Sequence, residues 1–160
     1  MIIIVMGVSG SGKSTIGKAL ADELKFPFFD ADDFHPQSNK DKMASGIPLT
    51  DEDRYPWLQL IVDALSKEAN GVLACSALKD AYREILNKAS DDVRWVYLKG
   101  DYETIKQRME LRSGHFMKAE MLKSQFDVLE VPSGVINVDI ILSIDEVVAT
   151  IIKNINKTND

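Results

Sequence analysis

The chain has one cysteine, Cys75, in 160 residues, so it cannot close a disulfide within itself. Nothing ahead of the first apolar run reads as a secretory signal, and the expectation is a cytoplasmic protein. Long apolar runs are also missing: the first, residues 1–6, falls far short of the roughly 20 residues a membrane helix needs, and the expectation is no membrane partner. Basic residues are in deficit, 19 Lys and Arg against 25 Asp and Glu, for a formal net charge of −6. Nucleic acid is therefore an unsuitable main partner, and an anionic ligand must meet a local basic site. Only two histidines are present, with no set of metal-ligating neighbours around them. Internal repeats and low-complexity segments are absent as well. What remains is 45% apolar residues over a length that fits one domain, 1–160, with a genuine core.

What is present centres on Gly7-Val8-Ser9-Gly10-Ser11-Gly12-Lys13-Ser14, directly after that first apolar run. The spacing is G-x-x-x-x-G-K-[ST], the phosphate-binding P-loop. Glycines let the backbone curl until several N–H groups face one cavity that can hold a triphosphate. Lys13 brings a mobile cation to the β- and γ-phosphates, and Ser14 offers a hydroxyl to Mg²⁺. The helix starting there turns the positive end of its dipole toward the same anion. Ile16, Ala19, Leu20 and Leu24 follow at helical spacing, which supplies the strand, loop and helix context the motif requires. Gly7, Ser9, Gly10, Ser11, Gly12, Lys13, Ser14 and Thr15 are thus the expected ATP-binding set.

Beyond this point apolar runs and helical stripes alternate. Pro27-Phe28-Phe29 reads as a second strand ending in Asp30-Ala31-Asp32-Asp33. Residues 34–56 are polar and rich in turn formers, too long for a plain connector, and are expected to form a functional insertion. Pro56 suits the first turn of a helix that turns Leu58, Ile61, Val62 and Leu65 inward. Val72-Leu73-Ala74-Cys75 is a third strand, followed by a helix with Tyr82, Ile85, Leu86 and Ala89 inward. Residues 93–98 form a fourth strand, and the next helix buries Ile105 and Met109. A glycine break in Ser113-Gly114-His115-Phe116 leads to a helix with Leu122, Phe126 and Leu129 aligned. Residues 135–138 are a fifth strand, and Ser143-x-x-Glu146 is a capping box opening the last helix. Five strands alternating with helices imply a parallel sheet in a three-layer α/β/α arrangement, with the ligand site at the strands' C-terminal edge.

Among P-loop proteins, a GTPase would carry N-K-x-D after a late strand. Asn156-Lys157-Thr158-Asn159 has Asn where the Asp belongs. A motor ATPase would end a strand in a clear acidic Walker B residue, but the third strand ends in Cys75-Ser76 and the fourth in Lys99-Gly100-Asp101. The class left is a small-molecule or nucleoside-monophosphate kinase.

Within that class the chain closely resembles the gluconokinase family. The resemblance is carried by Asp30-Ala31-Asp32, His35-Pro36, Asn39, Lys42-Met43-x-x-Gly46-x-Pro48-Leu49-x-Asp51-x-Asp53-Arg54-x-Pro56-Trp57-Leu58, Cys75-Ser76-Ala77-Leu78-Lys79-x-x-Tyr82-Arg83, Leu98-Lys99-Gly100, Gly114-His115-Phe116 and Gln125-Phe126-x-x-Leu129-Glu130-x-Pro132. It runs from Gly7 to about Pro132, and the long middle motif is far more specific than the P-loop. It implies an adenylate-kinase-like P-loop kinase fold, ATP and Mg²⁺, phosphorylation of D-gluconate at its 6-hydroxyl, and a homodimer. It also makes residues 34–56 the substrate-binding insertion and about 112–119 a lid. Another small-acceptor kinase, or a nucleotide-binding module without turnover, are the competing readings.

Asp30 and Asp32 stand two apart, which on an extended backbone points both carboxylates the same way. By similarity to the related shikimate kinases, Asp30 should touch Mg²⁺ through water, while Asp32 holds the acceptor hydroxyl and takes its proton. The competing role for either is a helix cap. Arg54 can offer a planar fork to the gluconate carboxylate, against the alternative of a surface ion pair with Asp51 or Asp53. Lys79 and Arg83, one turn apart, are further candidates for gripping the acid or its polyol. His35 is expected to hydrogen-bond the sugar, and His115 in the lid joins the substrate set. Of Arg108 and Arg112, also one turn apart, one should stack on adenine and the other neutralise the transferring phosphoryl. Lys13, Asp32 and Arg112 are the expected catalytic residues. Trp57 and Cys75 read as core.

Overall fold

The computed structural model describes residues 1–111 and 119–158. Its centre is β1 (Ile2–Met6), every residue of which is buried. A strand covered on both faces reads as a continuous apolar run instead of an alternating one. Alternation survives in the packing, because successive side chains leave opposite faces of a strand. Ile3 and Val5 join one core with Leu20, Ile105 and Ile151, whereas Ile2, Ile4 and Met6 join a second with Leu58, Ile61 and Leu86. At about 2 kcal/mol for each fully buried large aliphatic side chain, β1 alone ties the two layers to the sheet.

The P-loop leads from β1 into α1 (Lys13–Leu24). Then come β2 (Phe28–Asp30), a 3₁₀ turn (Ala31–Phe34), α2 (Gln37–Ala44) and α3 (Asp51–Leu65). They are followed by β3 (Gly71–Ala74), α4 (Asp80–Leu86), β4 (Val93–Lys99) and α5 (Tyr102–Leu111). The chain closes with α6 (Ala119–Val128), β5 (Ile136–Asp139) and α7 (Ile144–Thr158). The five strands are parallel in the order β2-β3-β1-β4-β5. Connections run to one side of β1 up to β3 and to the other side from β4 onward. The P-loop therefore stands at the point where the sheet reverses its direction of growth, where open α/β sheets bind ligands. The three-layer α/β/α expectation holds.

The insertion is more ordered than a polar, turn-rich segment suggested. Residues 34–56 contain α2, a connector over 45–50 and the opening of α3. That helix begins at Asp51 and not at Pro56, because the start signal is a capping box. Asp53 N–H donates to Thr50 Oγ1 at 3.1 Å, and Thr50 N–H donates to Asp53 Oδ2 at 2.9 Å. Asp51, Glu52 and Asp53 in the first turn also oppose the helix dipole. Pro56 consequently lies inside the helix, where it has no N–H to bond the preceding turn. The insertion is clamped to α3 by Lys42 Nζ, 2.8 and 2.9 Å from the two Asp53 carboxylate oxygens, and by Asn39 Nδ2 donating to the Asp53 carbonyl at 3.0 Å.

Arg83 departs from its expected role. The residue is buried at 6% exposure, and it donates to the carbonyls of Ala77 at 2.7 Å and Glu130 at 2.8 Å while pairing with Asp80. It joins the loop after β3 to the segment after α6 and does not line the cavity that Lys79 borders. The helical spacing from Lys79 was real, but the long side chain turns to orphaned carbonyls that only the tertiary fold brings together. Arg83→Met should leave the two carbonyls unpaired and cost about 2 kcal/mol, lowering the melting temperature by about 4–8 °C. Thermal unfolding followed by circular dichroism measures this, and an unchanged midpoint would contradict the assigned role.

Candidate active site

In the P-loop, Gly10 has φ +81° and Gly12 φ +94°, conformations that L side chains rarely adopt. At Gly10 a Cβ would also fall 2.8 Å from Met109 Cγ, so α5 packs directly on the loop. Ile16 N–H donates to the Gly12 carbonyl at 2.9 Å, starting α1 at the loop's end. The Ser11 hydroxyl is buried and has no protein partner among the described residues. Lys13 Nζ lies 3.4 Å from the Val8 carbonyl, folded back across the loop. Burial pulls its pKa below the ordinary lysine value, while the nearby Asp32 and Asp30 carboxylates oppose that shift.

The two aspartates part company. Asp30 ends β2 with extended backbone, but the chain then enters the 3₁₀ turn, so the extended-strand premise fails between 30 and 32. Asp30 Oδ2 accepts the Ser14 hydroxyl at 2.9 Å, and its Oδ1 accepts Asp32 N–H at 3.0 Å. Asp30 is thus both the cap of the turn and the neighbour of the P-loop serine. Asp32 instead lines a cavity of about 530 Å³.

That cavity is bordered by Asp32, His35, Asp51, Arg54, Lys79 and Tyr82, floored by Trp57 and Cys75, and closed on one side by Gln125. His35 stacks on Trp57 with ring centroids 4.3 Å apart. Trp57 is therefore core and cavity wall together, with its Nε1 donating to the Ala31 carbonyl at 2.7 Å. The Asn39 amide nitrogen donates to the Asp53 carbonyl and lies 3.2 Å from His35 Nδ1. An NH₂ group facing Nδ1 makes that nitrogen the acceptor and leaves the imidazole proton on Nε2. Burial lowers the His35 pKa, Asp32 partly offsets this, and Arg54 reinforces it. The ring is neutral at neutral pH.

Arg54 does not form the expected alternative ion pair. Its Nη1 donates to the Leu49 carbonyl at 2.8 Å and reaches Tyr82 Oη at 3.4 Å. Asp53 is taken by Lys42, whose hydrogen bonds hold its carboxyl down at about 2. Asp51 accepts from Tyr82 Oη at 2.5 Å and from Lys79 Nζ at 3.3 Å. Those two hydrogen bonds hold its pKa below the usual carboxylate range. Arg54 and Lys79 both lie near the Tyr82 ring, 5.7 and 5.6 Å from its centroid. Tyr82 read from sequence as an inward helix residue, and its place between two cations was not foreseen. Gln125 meets Ser9 across 116 residues, and no local pattern marks a contact that distant; Asn39 meets His35 only one helical turn away.

On the other side of the P-loop a smaller cavity of about 140 Å³ is lined by Ser11, Gly12, Thr15, Arg108, Ile140 and Leu142, among others. Arg108 Nη2 is held by the Ile140 carbonyl. Arg112, His115 and the expected lid, apart from Ala119 at the start of α6, lie outside the described residues.

A P-loop set between a small cavity and a larger one bearing Arg54 and Lys79 is the arrangement of a P-loop kinase acting on a small acceptor. Residues 9–130 match the family model for shikimate kinase. The thermosensitive gluconokinase of Escherichia coli K12 is 53% identical over 135 residues, covering 82% of this chain and 72% of that protein. The thermoresistant gluconokinase of the same strain is 44% identical over 164 residues, covering 98% and 94%. The crystal structure of a gluconokinase from Sinorhizobium meliloti 1021 matches with a TM-score of 0.91 at 40% identity, over 98% of this chain and 91% of that one. Shikimate kinase from Aquifex aeolicus shares the fold, with a TM-score of 0.66 at 18% identity. The chain belongs to the gluconokinase family.

Cys75 is 2% exposed, and burial pushes its thiol up to about 12. The native protein should therefore resist Ellman's reagent at pH 8, and one thiol per chain should react once it is unfolded in guanidinium. Rapid reaction of the folded protein would contradict this placement.

Proposed function

We propose that this chain transfers the γ-phosphoryl group of ATP to the 6-hydroxyl of D-gluconate, giving 6-phospho-D-gluconate and ADP. The observation that carries the reading is one cavity that has the Asp32 carboxylate, Arg54 and Lys79 on its wall and adjoins the P-loop through Gln125, which bonds Ser9. A sugar acid has the matching ends: a carboxylate for the cations and a hydroxyl for Asp32.

Arg54 receives the gluconate carboxylate, its position set by Leu49 and Tyr82. Lys79 joins it by exchanging its exposed Asp51 partner, a pair weak enough to give up. His35 offers Nε2–H to a hydroxyl of the polyol. Asp32 orients the 6-hydroxyl and accepts its proton as the new P–O bond forms and the bond to the ADP oxygen breaks. Lys13 follows the moving phosphoryl, whose charge spreads over its equatorial oxygens in the transition state. Arg108 borders the smaller cavity and serves the base, while Arg112 serves the phosphoryl and His115 the acceptor when the 112–119 lid closes. Closure would exclude water and suppress ATP hydrolysis.

Ser14 and Asp30 fit Mg²⁺: a hydroxyl and a carboxylate converge, and Mg²⁺ in such sites takes its remaining oxygens from phosphates and water. Bound there, the ion would neutralise charge on the β- and γ-phosphates. The reading extends to one catalytic unit over 1–160 acting as a cytoplasmic homodimer. The dimer rests on the family likeness, and the location on the single buried thiol. Among the described residues no helix is long and apolar enough to cross a membrane.

Mass-spectrometric detection of 6-phosphogluconate from ATP and gluconate tests the assignment, and ADP release with a different acceptor only would redirect it. Asp32→Asn should lower kcat by roughly 10²- to 10⁴-fold with little change in ATP affinity. A variant retaining more than about a third of wild-type kcat lies outside that range and would remove Asp32 from the role. Arg54→Lys keeps the charge and loses the planar fork, so it should raise the gluconate KM far more than the ATP KM. An effect confined to ATP in steady-state kinetics would contradict the carboxylate assignment.

A further inference from the structure

Gln125 of α6 grips Ser9 twice. Ser9 N–H donates to Gln125 Oε1 at 2.7 Å, and Gln125 Nε2 donates to Ser9 Oγ at 2.9 Å. The same side chain borders the acceptor cavity. Ser9 belongs to the glycine-rich loop, where neighbouring Gly10 gives the backbone freedom to turn its peptides. A primary amide held at both ends stops that rotation for the peptide joining Val8 to Ser9.

The far end of the same segment is fixed on the acceptor side. Glu130 N–H donates to the Leu78 carbonyl at 2.8 Å, Asp80 N–H donates to Glu130 Oε1 at 2.9 Å, and Arg83 holds the Glu130 carbonyl at 2.8 Å. One strut, residues 125–130, thus links the phosphate loop to the loop after β3 that carries Lys79.

We infer that Gln125 is a positioning residue for phosphoryl transfer, fixing the Ser9 peptide where the P-loop meets the acceptor cavity. The inference rests on the reading of the chain as a gluconate kinase and adds a residue to it. In-line transfer demands that donor phosphorus and acceptor oxygen keep their approach, and a displacement of about 1 Å can cost about 10²-fold in rate. When Ser9 can turn away, the phosphoryl group is held less well against the acceptor and more often reaches water.

The test begins with wild-type enzyme: if it forms no 6-phosphogluconate, the functional reading fails and not this assignment. With active wild type, Gln125→Met should lower kcat by about 10- to 100-fold. The gluconate KM and the ATP dissociation constant should change by less than about threefold, on the scale of one lost hydrogen bond or below. More ADP should be released than 6-phosphogluconate formed, a readout that loss of folded protein alone would not move. A kcat within about twofold of wild type, or equal ADP and product, would each overturn the inference. Should Gln125→Met fail to fold, Gln125→Ala, with the best helix former in that place, removes the same two hydrogen bonds. A fall of about threefold or more in kcat with excess ADP supports the role, and unchanged stoichiometry overturns it.

Discussion

Burial of β1 on both faces is the constraint from which the rest of the site follows. A strand that must hide Ile3 and Val5 on one side and Ile2, Ile4 and Met6 on the other needs helices above and below it and strands on both edges. Its C-terminal end is then the one place where the chain can emerge between two diverging crossovers. The P-loop occupies that place. Its curled backbone is supported from below by the best-packed part of the molecule and from the side by Met109 of α5.

The acceptor side is built by a different means. Its residues come from the insertion, from α3, from the loop after β3 and from α6, and polar contacts join these pieces at the rim of the apolar core they share. Asn39 and Lys42 tie α2 to Asp53, Tyr82 gathers Asp51 and Arg54, and Arg83 ties the loop after β3 to Glu130. Such contacts are directional, so each side chain has little freedom once the fold is made. The arrangement suits recognition of a small polyhydroxylated acid, which offers little apolar surface of its own.

Legibility in the sequence divides along the same line. The P-loop, the five strands and the inward faces of the helices could be read because each is local: a fixed motif, a short apolar run or a stripe of period 3.6. Pro56 suits a first-turn position, but Thr50 with Asp53 three residues on is the stronger start signal, and α3 begins there. Asp32 reaches its cavity through a 3₁₀ turn that two-residue spacing does not announce. Arg83, Tyr82 and Gln125 take their positions from partners 28 to 116 residues away, and no window along the chain contains those contacts. Only the tertiary geometry separates Arg83, which holds the frame, from Arg54, which lines the larger cavity.

The tautomer of His35 carries a consequence for behaviour in acid. Its Nδ1 accepts only while the ring is neutral; protonation turns both nitrogens into donors and sets an N–H against the amide hydrogens of Asn39. Because burial depresses the folded pKa below 6.5, the stabilisation this ring contributes is complete above that value and fades as the pH falls through the depressed one. That contact joins the end of the 3₁₀ turn to α2, and acid should loosen it. Acid should therefore disturb the wall of the larger cavity, of which His35 is part, through a contact that the P-loop does not share.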